Sequence, residues 1–390
     1  MSTSSLVEVS APKPIARSAA RTTYTWLANG KAFFRCVQDA IELADHSVDV
    51  EFYMYKSGTL GNALRERLIA AAKRGCRVRV LLDAYGSDEL RVDYWRGLGN
   101  AGGEVRGFNP KRLLRLSFRD HRKLVVVDAS HAMLGGCNVG DEYAGDGIKI
   151  GWRDLGLAAS GGTIVHTLQQ SFAQMWTHAD FGVTAIGHFR KWRREAQPAS
   201  DECELLLAGA GMNGARMRAR LHHDVAKGGD ISVLAAYFLP SRRLRRLLTQ
   251  RATTGSVTVI VPASTDVALA HWASRYIMRQ MQPSGVHFYE YQPAMLHAKL
   301  VVVDDAVYVG SANLDVRSHR INYELLLRTT DRYVTDQARA TVASVQADSI
   351  QVSADRPADS LFVRWRERLA YLALSRLDPY IAQRKLRNLQ

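Results

Sequence analysis

The chain contains the pattern His-x-Lys-x4-Asp twice, and each copy has residue types that phosphoryl transfer needs. The first copy is His121, Lys123 and Asp128, and the second is His297, Lys299 and Asp304. A histidine with a pKa near 6.5 can act as a nucleophile or an acid, and a lysine can stabilise charge on phosphate oxygens. The chain's own His, Lys and Asp frequencies predict about 0.02 chance occurrences of one such pattern. The duplication therefore indicates a paired catalytic site for phosphodiester chemistry.

A turn of small residues with an asparagine follows each copy. The turns are Gly135-Gly136-Cys137-Asn138 and Gly310-Ser311-Ala312-Asn313. The histidine-to-asparagine spacing is 17 residues in the first copy and 16 in the second. Fixed hydrogen-bond donors and cations stabilise a phosphoryl transition state, so Asn138 and Asn313, supported by Gly136 and Ser311, are candidate phosphate-binding residues. Together with the lysines, they could replace a metal ion.

The spacing within each copy separates catalytic from structural residues. Residues i and i+2 of a strand share a face, so His121 and Lys123 project together, as do the histidine and lysine of the second copy. Each aspartate follows its histidine by seven positions. In an extended strand this is the opposite face, about 23 Å away, so the aspartate cannot orient its own histidine. We expect Asp128 and Asp304 to bind loop amides at the strand ends.

Composition limits the classes of protein that this chain can represent. Its 390 residues, 47% of them hydrophobic, suffice for two globular domains. No apolar run approaches the roughly 18 residues of a membrane span, and the N-terminus lacks the apolar region of a signal peptide, so we expect a cytoplasmic protein. Four scattered cysteines favour reduced thiols over a disulfide framework or zinc site. The net charge of +14 predicts attraction to nucleic acid or anionic lipid without choosing between them.

The order of helices and strands repeats along the chain. In the first half, helical patterns at 30–44 and 60–75 alternate with apolar strands at 48–55 and 77–84. In the second half, helical patterns at 213–228 and 241–255 alternate with strands at 232–239 and 257–264. This alternation predicts the α/β class, with an α/β sandwich in each half. We expect a disordered tail at 1–24, domains at 25–186 and 203–350 joined by a charged linker at 187–202, and a C-terminal helical segment at 351–390.

The paired motifs resemble those of the phospholipase D superfamily. Stretches such as HRKLVVVD, GGCNVGDEY, LHAKLVVVDD and VYVGSANLDVRS are similar to the bacterial cardiolipin synthase branch. The resemblance implies two homologous phospholipase D-like α/β sandwich domains, related by a pseudo-twofold axis, with the active site at their interface. It implies no cofactor and no metal. Many cardiolipin synthases begin with two membrane-spanning helices, and this sequence shows none.

The resemblance also implies roles for individual residues. His121 would be the nucleophile that forms a phosphohistidine, and His297 would be the general acid and then the base; the reverse assignment stays open. A carboxylate fixes the tautomer of such a histidine. The family pattern points to Asp154 as the partner of His121 and to Glu324 as the partner of His297. Either could instead be an exposed strand carboxylate.

Together these features predict a peripheral phosphatidyltransferase on the inner face of the cell membrane. It would form cardiolipin from phosphatidylglycerol. The alternatives are a phospholipase D that uses water as acceptor, a phosphodiesterase acting on nucleic acid, and an inactive lipid-binding scaffold. Two basic segments could contact lipid: the amphipathic C-terminal segment, and the cluster of Lys111, Arg112, Arg115 and Arg119. The first could instead cap the second domain, and the second could be a solvated loop. The sequence leaves the oligomeric state open.

Overall fold

The first half of the chain forms a seven-stranded mixed sheet. The computed structural model describes residues 22–91, 93–109, 118–180, 188, 191, 202–210, 214–353 and 360–377. The strands are β1 (Thr23–Leu27), β2 (Ser47–Phe52), β3 (Arg77–Asp83), β4 (Glu104–Phe108), β5 (Lys123–Val127), β6 (His131–Gly135) and β7 (Gly156–Ser160). The helices are α1 (Gly30–Glu42), α2 (Thr59–Lys73), α3 (Arg96–Asn100) and α4 (Gly162–Thr177). The order across the sheet is β1-β7-β6-β5-β2-β3-β4.

The second half repeats this sheet and adds one edge strand. Its strands are β8 (Cys203–Ala208), β9 (Asp230–Ala235), β10 (Ser256–Pro262), β11 (His287–Tyr291), β12 (Lys299–Val303), β13 (Ala306–Gly310), β14 (Glu324–Thr329) and β15 (Ser349–Gln351). Its helices are α5 (Ala215–Lys227), α6 (Arg242–Arg251), α7 (Ala268–Met281), α8 (Val316–Arg320), α9 (Arg332–Ala347) and α10 (Leu361–Leu372), which continues as a π-helical turn, Ala373–Leu377. The order is β15-β11-β10-β9-β12-β13-β14-β8. Without β15, this is the order of the first sheet, so the predicted α/β duplication is confirmed.

Local sequence explains why these elements form where they do. Helix α1 begins after Asn29, whose side chain accepts a hydrogen bond from the backbone N–H of Ala32 at 2.8 Å. Such a cap satisfies one of the unpaired donors at a helix start. Strands β5 and β12 both read KLVVV and are buried throughout. Continuous apolar strands are typical of a sheet that is covered on both faces.

The two halves share a hydrophobic interior. Leu124 and Val126 of the first sheet pack in the same cluster as Leu300 and Val302 of the second. Helices α4 and α9 contribute to this shared cluster, while α1 and α2 cover the outer face of the first sheet. Helices α5, α6 and α7 cover the outer face of the second sheet. Because strand alternation sends one set of side chains to the shared interior, docking of the two halves completes the core of each sheet.

Some sequence predictions fall outside the residues that the structure describes. These are residues 1–21 of the predicted tail, most of the predicted linker, and Lys111, Arg112 and Arg115 of the basic cluster. Within the described ranges, none of the helices combines the length and the apolar character that crossing a bilayer requires.

Candidate active site at the domain interface

The ends of β5 and β12 bring the two motifs to the junction of the halves. Lys123 is the first residue of β5 and Lys299 the first of β12, so each histidine lies two residues before its strand. The backbone N–H of His121 donates to the carbonyl of Tyr323 at 2.9 Å, and that of His297 donates to the carbonyl of Arg153 at 2.7 Å. Each histidine is therefore tied by its backbone to the opposite half of the molecule.

Each histidine contacts a carboxylate of the opposite half. Nδ1 of His121 lies 3.1 Å from Glu324 Oε1, and Nδ1 of His297 lies 2.6 Å from Asp154 Oδ2. The predicted partners, Asp154 for His121 and Glu324 for His297, are therefore wrong, and the pairs are exchanged. The backbone contacts explain the exchange, because Glu324 directly follows Tyr323 and Asp154 directly follows Arg153. A carboxylate on Nδ1 fixes the tautomer that leaves Nε2 able to attack phosphorus.

The small-residue turns hold these carboxylates in place. The hydroxyl of Ser311 donates to Glu324 Oε2 at 2.5 Å. At the equivalent position of the first half, a Cβ on Gly136 would lie 2.3 Å from Asp154 Oδ1, closer than any real contact. Glycine is needed there because the carboxylate occupies the side-chain space. Gly136 and Ser311 therefore position the carboxylates, in addition to any phosphate contact predicted for them.

The motif aspartates lie at the far ends of the strands. Asp128 accepts hydrogen bonds from the backbone N–H groups of Asp45, His46 and Ser47 at 2.7–2.9 Å. Asp304 accepts from the N–H groups of Gly229 and Asp230. Burial raises the pKa of Asp128, but these donors outweigh it and hold the pKa below its usual value. The prediction that both aspartates bind loop amides is confirmed.

The two asparagines have different environments. Asn138 accepts from the backbone N–H of Met54 at 3.3 Å and donates to the hydroxyl of Tyr143 at 3.0 Å. Asn313 lines a cavity, and its buried Oδ1 has no hydrogen-bond partner. Asn313 is therefore better placed than Asn138 for a direct contact with substrate, and its role in phosphate binding stays a prediction.

Burial shifts the pKa values of the catalytic groups toward their neutral forms. It lowers the pKa of His121 well below the usual value and that of His297 to about 4, although Asp154 raises the latter. Burial likewise lowers the pKa of Lys123 to about 7 and also lowers that of Lys299. The pKa of Glu324 rises to about 8 for the same reason. A neutral histidine suits a nucleophile, and an arriving phosphodiester anion would favour protonation of the lysines and the acid histidine.

The lysines lie beside the histidines as predicted. Nζ of Lys123 donates to the carbonyl of His121 at 2.6 Å and lies 5.4 Å from the ring centre of Tyr53. Nζ of Lys299 lies 2.7 Å from Nδ1 and 3.1 Å from Nε2 of His297. Their position suits stabilisation of the nonbridging oxygens of a bound phosphate.

A cavity of about 490 Å³ opens beside His121. Of the described residues, its lining includes His121 but not His297. The polar and aromatic part of the wall consists of Tyr53, Tyr85, Arg119, Tyr237, Asn313, Asp315, Arg317, Ser318, Asn322 and Ser375. The apolar part consists of Leu239, Val267, Ala270, Val316 and Leu374. The wall thus offers polar side chains for a charged headgroup and apolar side chains for hydrocarbon.

Sequence reasoning missed several residues around the histidines. The ring of Tyr53 lies 4.9 Å from that of His121, and the rings of Tyr143 and Trp152 lie 5.1 and 5.5 Å from that of His297. Tyr53 directly follows β2, a position that could have suggested a site residue at the strand end. Arg119, predicted as part of a lipid-contacting basic surface, is buried with 5% of its surface exposed. Its position directly before the first motif was the sequence feature that could have indicated a role in the site.

Comparison with known proteins identifies the family of the chain. The model of the family described as "Cardiolipin synthase, PLD-like domain" matches residues 37–176 and 224–345. The chain is 34% identical to the major cardiolipin synthase ClsA of Bacillus subtilis (strain 168) over 75% of this chain and 62% of that protein. It is 33% identical to cardiolipin synthase A of Pseudomonas putida over 86% of this chain and 70% of that protein. The match to cardiolipin synthase 1 of Bacillus cereus likewise spans only 63% of that relative's length.

Solved structures show the same fold at low sequence identity. The phosphatidylserine synthase of Haemophilus influenzae Rd KW20 superposes with a TM-score of 0.70 at 13% identity, over 92% of this chain and 94% of that one. The polyphosphate kinase of Porphyromonas gingivalis gives a TM-score of 0.57 at 13% identity, over 94% of this chain and 53% of that one. With the two His-Lys motifs and the duplicated sheets, the family match leads to one conclusion: the chain belongs to the phospholipase D superfamily, in the family of the cardiolipin synthase PLD-like domain.

Proposed function

We propose that the protein is a phosphatidyltransferase that forms cardiolipin from two molecules of phosphatidylglycerol. The observation that carries the proposal is the pair of histidines, each held on Nδ1 by a carboxylate of the opposite half, with His121 at the wall of a cavity that polar and apolar side chains line. Phosphodiester exchange without net hydrolysis needs a nucleophile, an acid-base group and space for a second lipid alcohol. The relatives named cardiolipin synthase support this choice of reaction.

In the first step, His121 attacks the phosphorus of one phosphatidylglycerol. A P–N bond forms at Nε2, and the P–O bond to the glycerol headgroup breaks. His297 gives its proton to the leaving oxygen, so free glycerol departs. Glu324 then stabilises the positive charge that develops on the imidazole of His121, which favours the ionised form of this carboxyl group.

In the second step, the terminal hydroxyl of another phosphatidylglycerol attacks the same phosphorus. His297, held by Asp154, takes the hydroxyl proton while the P–N bond breaks. His121 is regenerated, and the product carries two phosphatidyl groups on one glycerol. The contact between Lys299 and the ring of His297 suits a neutral imidazole, so we expect bound phosphate to draw Lys299 away when His297 is protonated.

We propose that the protein works on the inner face of the cell membrane. Helix α10 carries exposed apolar side chains, with Phe362 66% and Trp365 60% exposed. The π-helical turn that continues α10 supplies Leu374 and Ser375 to the cavity wall. An exposed apolar helix that leads into the cavity wall would let a lipid pass from the bilayer to His121 with its acyl chains shielded from water.

Incubation of the pure protein with phosphatidylglycerol vesicles tests the proposed function. We expect cardiolipin and free glycerol in equal amounts, measured by lipid mass spectrometry and a glycerol assay. Phosphatidic acid as the main product would identify a hydrolase. No change in the lipids, with vesicle binding intact, would indicate a scaffold, and cleavage of single-stranded nucleic acid in parallel assays would indicate a nuclease. The variant His121→Ala serves as the inactive control.

A further inference from the structure

We propose that Arg119 and Arg317 form a subsite for the phosphate of the acceptor phospholipid. The inference rests on the proposed function and deepens it, because it concerns the second lipid and not the phosphodiester that is cleaved. Both arginines line the cavity beside His121. The ligand class is a phosphodiester whose headgroup bears a free hydroxyl.

The positions of the two arginines suit this role. Arg119, Arg317 and Tyr53 line the same cavity. Burial and Asp83 raise the pKa of Tyr53 to about 12, although both guanidinium groups lower it. The ring of Tyr53 lies 4.9 Å from that of His121. The terminal hydroxyl of a glycerol headgroup is a few bonds from its phosphate. A phosphate held by these arginines could therefore present its hydroxyl to a phosphoryl group on His121.

Arg119 is held in the cavity wall by an ion pair with Asp83 and by the ring of Tyr85. Its Nη1 lies 3.4 Å from Oδ1 of Asp83, which is fully buried, and its guanidinium lies 5.0 Å from the ring centre of Tyr85. The other oxygen of Asp83 accepts the backbone N–H of Asp120 at 2.8 Å. Asp83 thus fixes both the guanidinium and the backbone that leads to His121.

The second half of the chain shows that the fold itself does not need these charges. Strand register aligns β2 with β9, β3 with β10 and β5 with β12. In that alignment Asp83 corresponds to Pro262, and Arg119 to Met295. The neighbouring buried charges Glu51, Asp120 and Arg122 correspond to Leu234, Leu296 and Ala298. Burying charges is costly, and apolar residues usually do as well or better for stability. The charged network around Arg119 is confined to the first half, which supplies His121 and Arg119 to the cavity wall, and it therefore indicates a function.

Electrostatics explains why an acceptor phosphate would need its own cations. The donor phosphate already lies between Lys123 and Lys299 in the proposed mechanism. A second phosphate brought close to it is repelled, and the repulsion is strong where water is largely excluded. Arg119 and Arg317 would offset this repulsion for an anionic acceptor. Asp315 also lines the cavity, but its Oδ1 accepts the backbone N–H of Ser318 at the start of α8. Water or a neutral alcohol requires no such offset, so the arginines would favour transfer over hydrolysis.

A competition between two acceptors tests the subsite. The donor is a phosphatidyl lipid with a p-nitrophenyl headgroup, in mixed micelles that contain equal amounts of phosphatidylglycerol and a monoacylglycerol. Both acceptors carry the same vicinal diol, but only phosphatidylglycerol carries a phosphate. The ratio of cardiolipin to the phosphatidyl-monoacylglycerol product is measured by mass spectrometry. Because both products come from one intermediate, the ratio does not depend on how much of a variant is folded.

The variants are Arg317→Met, Arg119→Gln and Arg119→Lys, with Arg332→Met as the control. Arg332 is 96% exposed on α9, so its loss removes one charge away from the cavity. We expect the ratio to fall about tenfold or more in Arg317→Met and Arg119→Gln, the loss typical of a charge-assisted hydrogen bond. It should stay near the wild-type value in the control and recover in part in Arg119→Lys.

The outcomes separate the subsite from the proposed function. Wild-type protein that makes only phosphatidic acid would overturn the proposed function and the subsite with it. Wild-type protein that makes cardiolipin, with an unchanged ratio in both Arg317→Met and Arg119→Gln, would overturn the subsite alone.

Discussion

The exchanged pairing of histidines and carboxylates predicts that Glu324→Gln and Asp154→Asn impair different chemical roles. Glu324 contacts His121, the proposed nucleophile, and Asp154 contacts His297, the proposed acid and base. A leaving group that departs without protonation makes the acid unnecessary in the first step. When the substrate carries such a leaving group, Asp154→Asn should therefore carry out the first step at nearly the wild-type rate. Glu324→Gln should remain slow in this step.

The expected size of the defect follows from the geometry. At 3.1 Å and an effective dielectric constant of about 20, a carboxylate and an imidazolium attract by about 5 kcal/mol. The pKa of Glu324 is raised to about 8, so ionising it at pH 7 costs about 1.4 kcal/mol. In Glu324→Gln, the amide oxygen can still accept a hydrogen bond from Nδ1 of His121, which reduces the loss by about 1 kcal/mol more. The remainder, about 3 kcal/mol, corresponds to a loss of roughly 10²-fold in rate.

The assay compares phosphatidylglycerol with a phosphatidyl p-nitrophenol. With phosphatidylglycerol, both variants should lose about 10²-fold in glycerol release. With the p-nitrophenyl substrate, Asp154→Asn should give a burst of p-nitrophenol close to that of the wild type and then turn over slowly, because the base is still impaired. Glu324→Gln should give no fast burst. Asp49→Asn controls for loss of a buried carboxylate, since Asp49 pairs with Arg79 at 2.7 Å, away from the histidines.

One result would refute the reasoning directly. If the activated leaving group rescues Glu324→Gln and leaves Asp154→Asn without a burst, the roles of the two pairs are the reverse of those assigned. If it rescues neither, while thermal unfolding shows both proteins folded, the division into nucleophile and acid fails.

Four further predictions follow from the site and its surroundings. Gly136→Ala should reduce activity as much as Asp154→Asn, because the added Cβ would lie 2.3 Å from Oδ1 of Asp154 and would push this carboxylate out of place. In the control variant Gly99→Ala, the added Cβ meets no atom within 4 Å, so activity should be near that of the wild type. The value of kcat/KM should fall as the pH rises above about 7, because Lys123, with a pKa lowered to about 7, loses its charge in the free enzyme; a flat profile from pH 7 to pH 9 would contradict this role. Trp365→Glu should weaken binding to anionic vesicles in a flotation assay while leaving turnover of a short-chain substrate intact, and equal loss of both would argue against a membrane-docking face. Turnover of that substrate should survive EDTA, because lysines take the place of metal ions, and restoration by Mg²⁺ after a loss would contradict the mechanism.

The sequence alone determined the repeated unit of this protein. Alternating apolar strands and amphipathic helices predicted β2, α2 and β3 and their counterparts in the second half, because these signals lie within single segments of chain. The seven-residue interval within each motif predicted that the aspartates hold loops, and Asp128 and Asp304 do so. The spacing of histidine and lysine predicted that their side chains project from the same face.

Only the tertiary structure decided which carboxylate serves which histidine. In a duplicated chain, pairing within a half and pairing between halves are equally compatible with the linear order of residues. The choice depends on backbone hydrogen bonds across the interface, such as that from His121 to Tyr323, which form only when the two sheets dock. The cavity was equally hidden, since Arg119 and Arg317 are distant in sequence and line one cavity only because the two halves dock. Contacts between halves depend on the packing of whole faces, and no local pattern in the sequence records them.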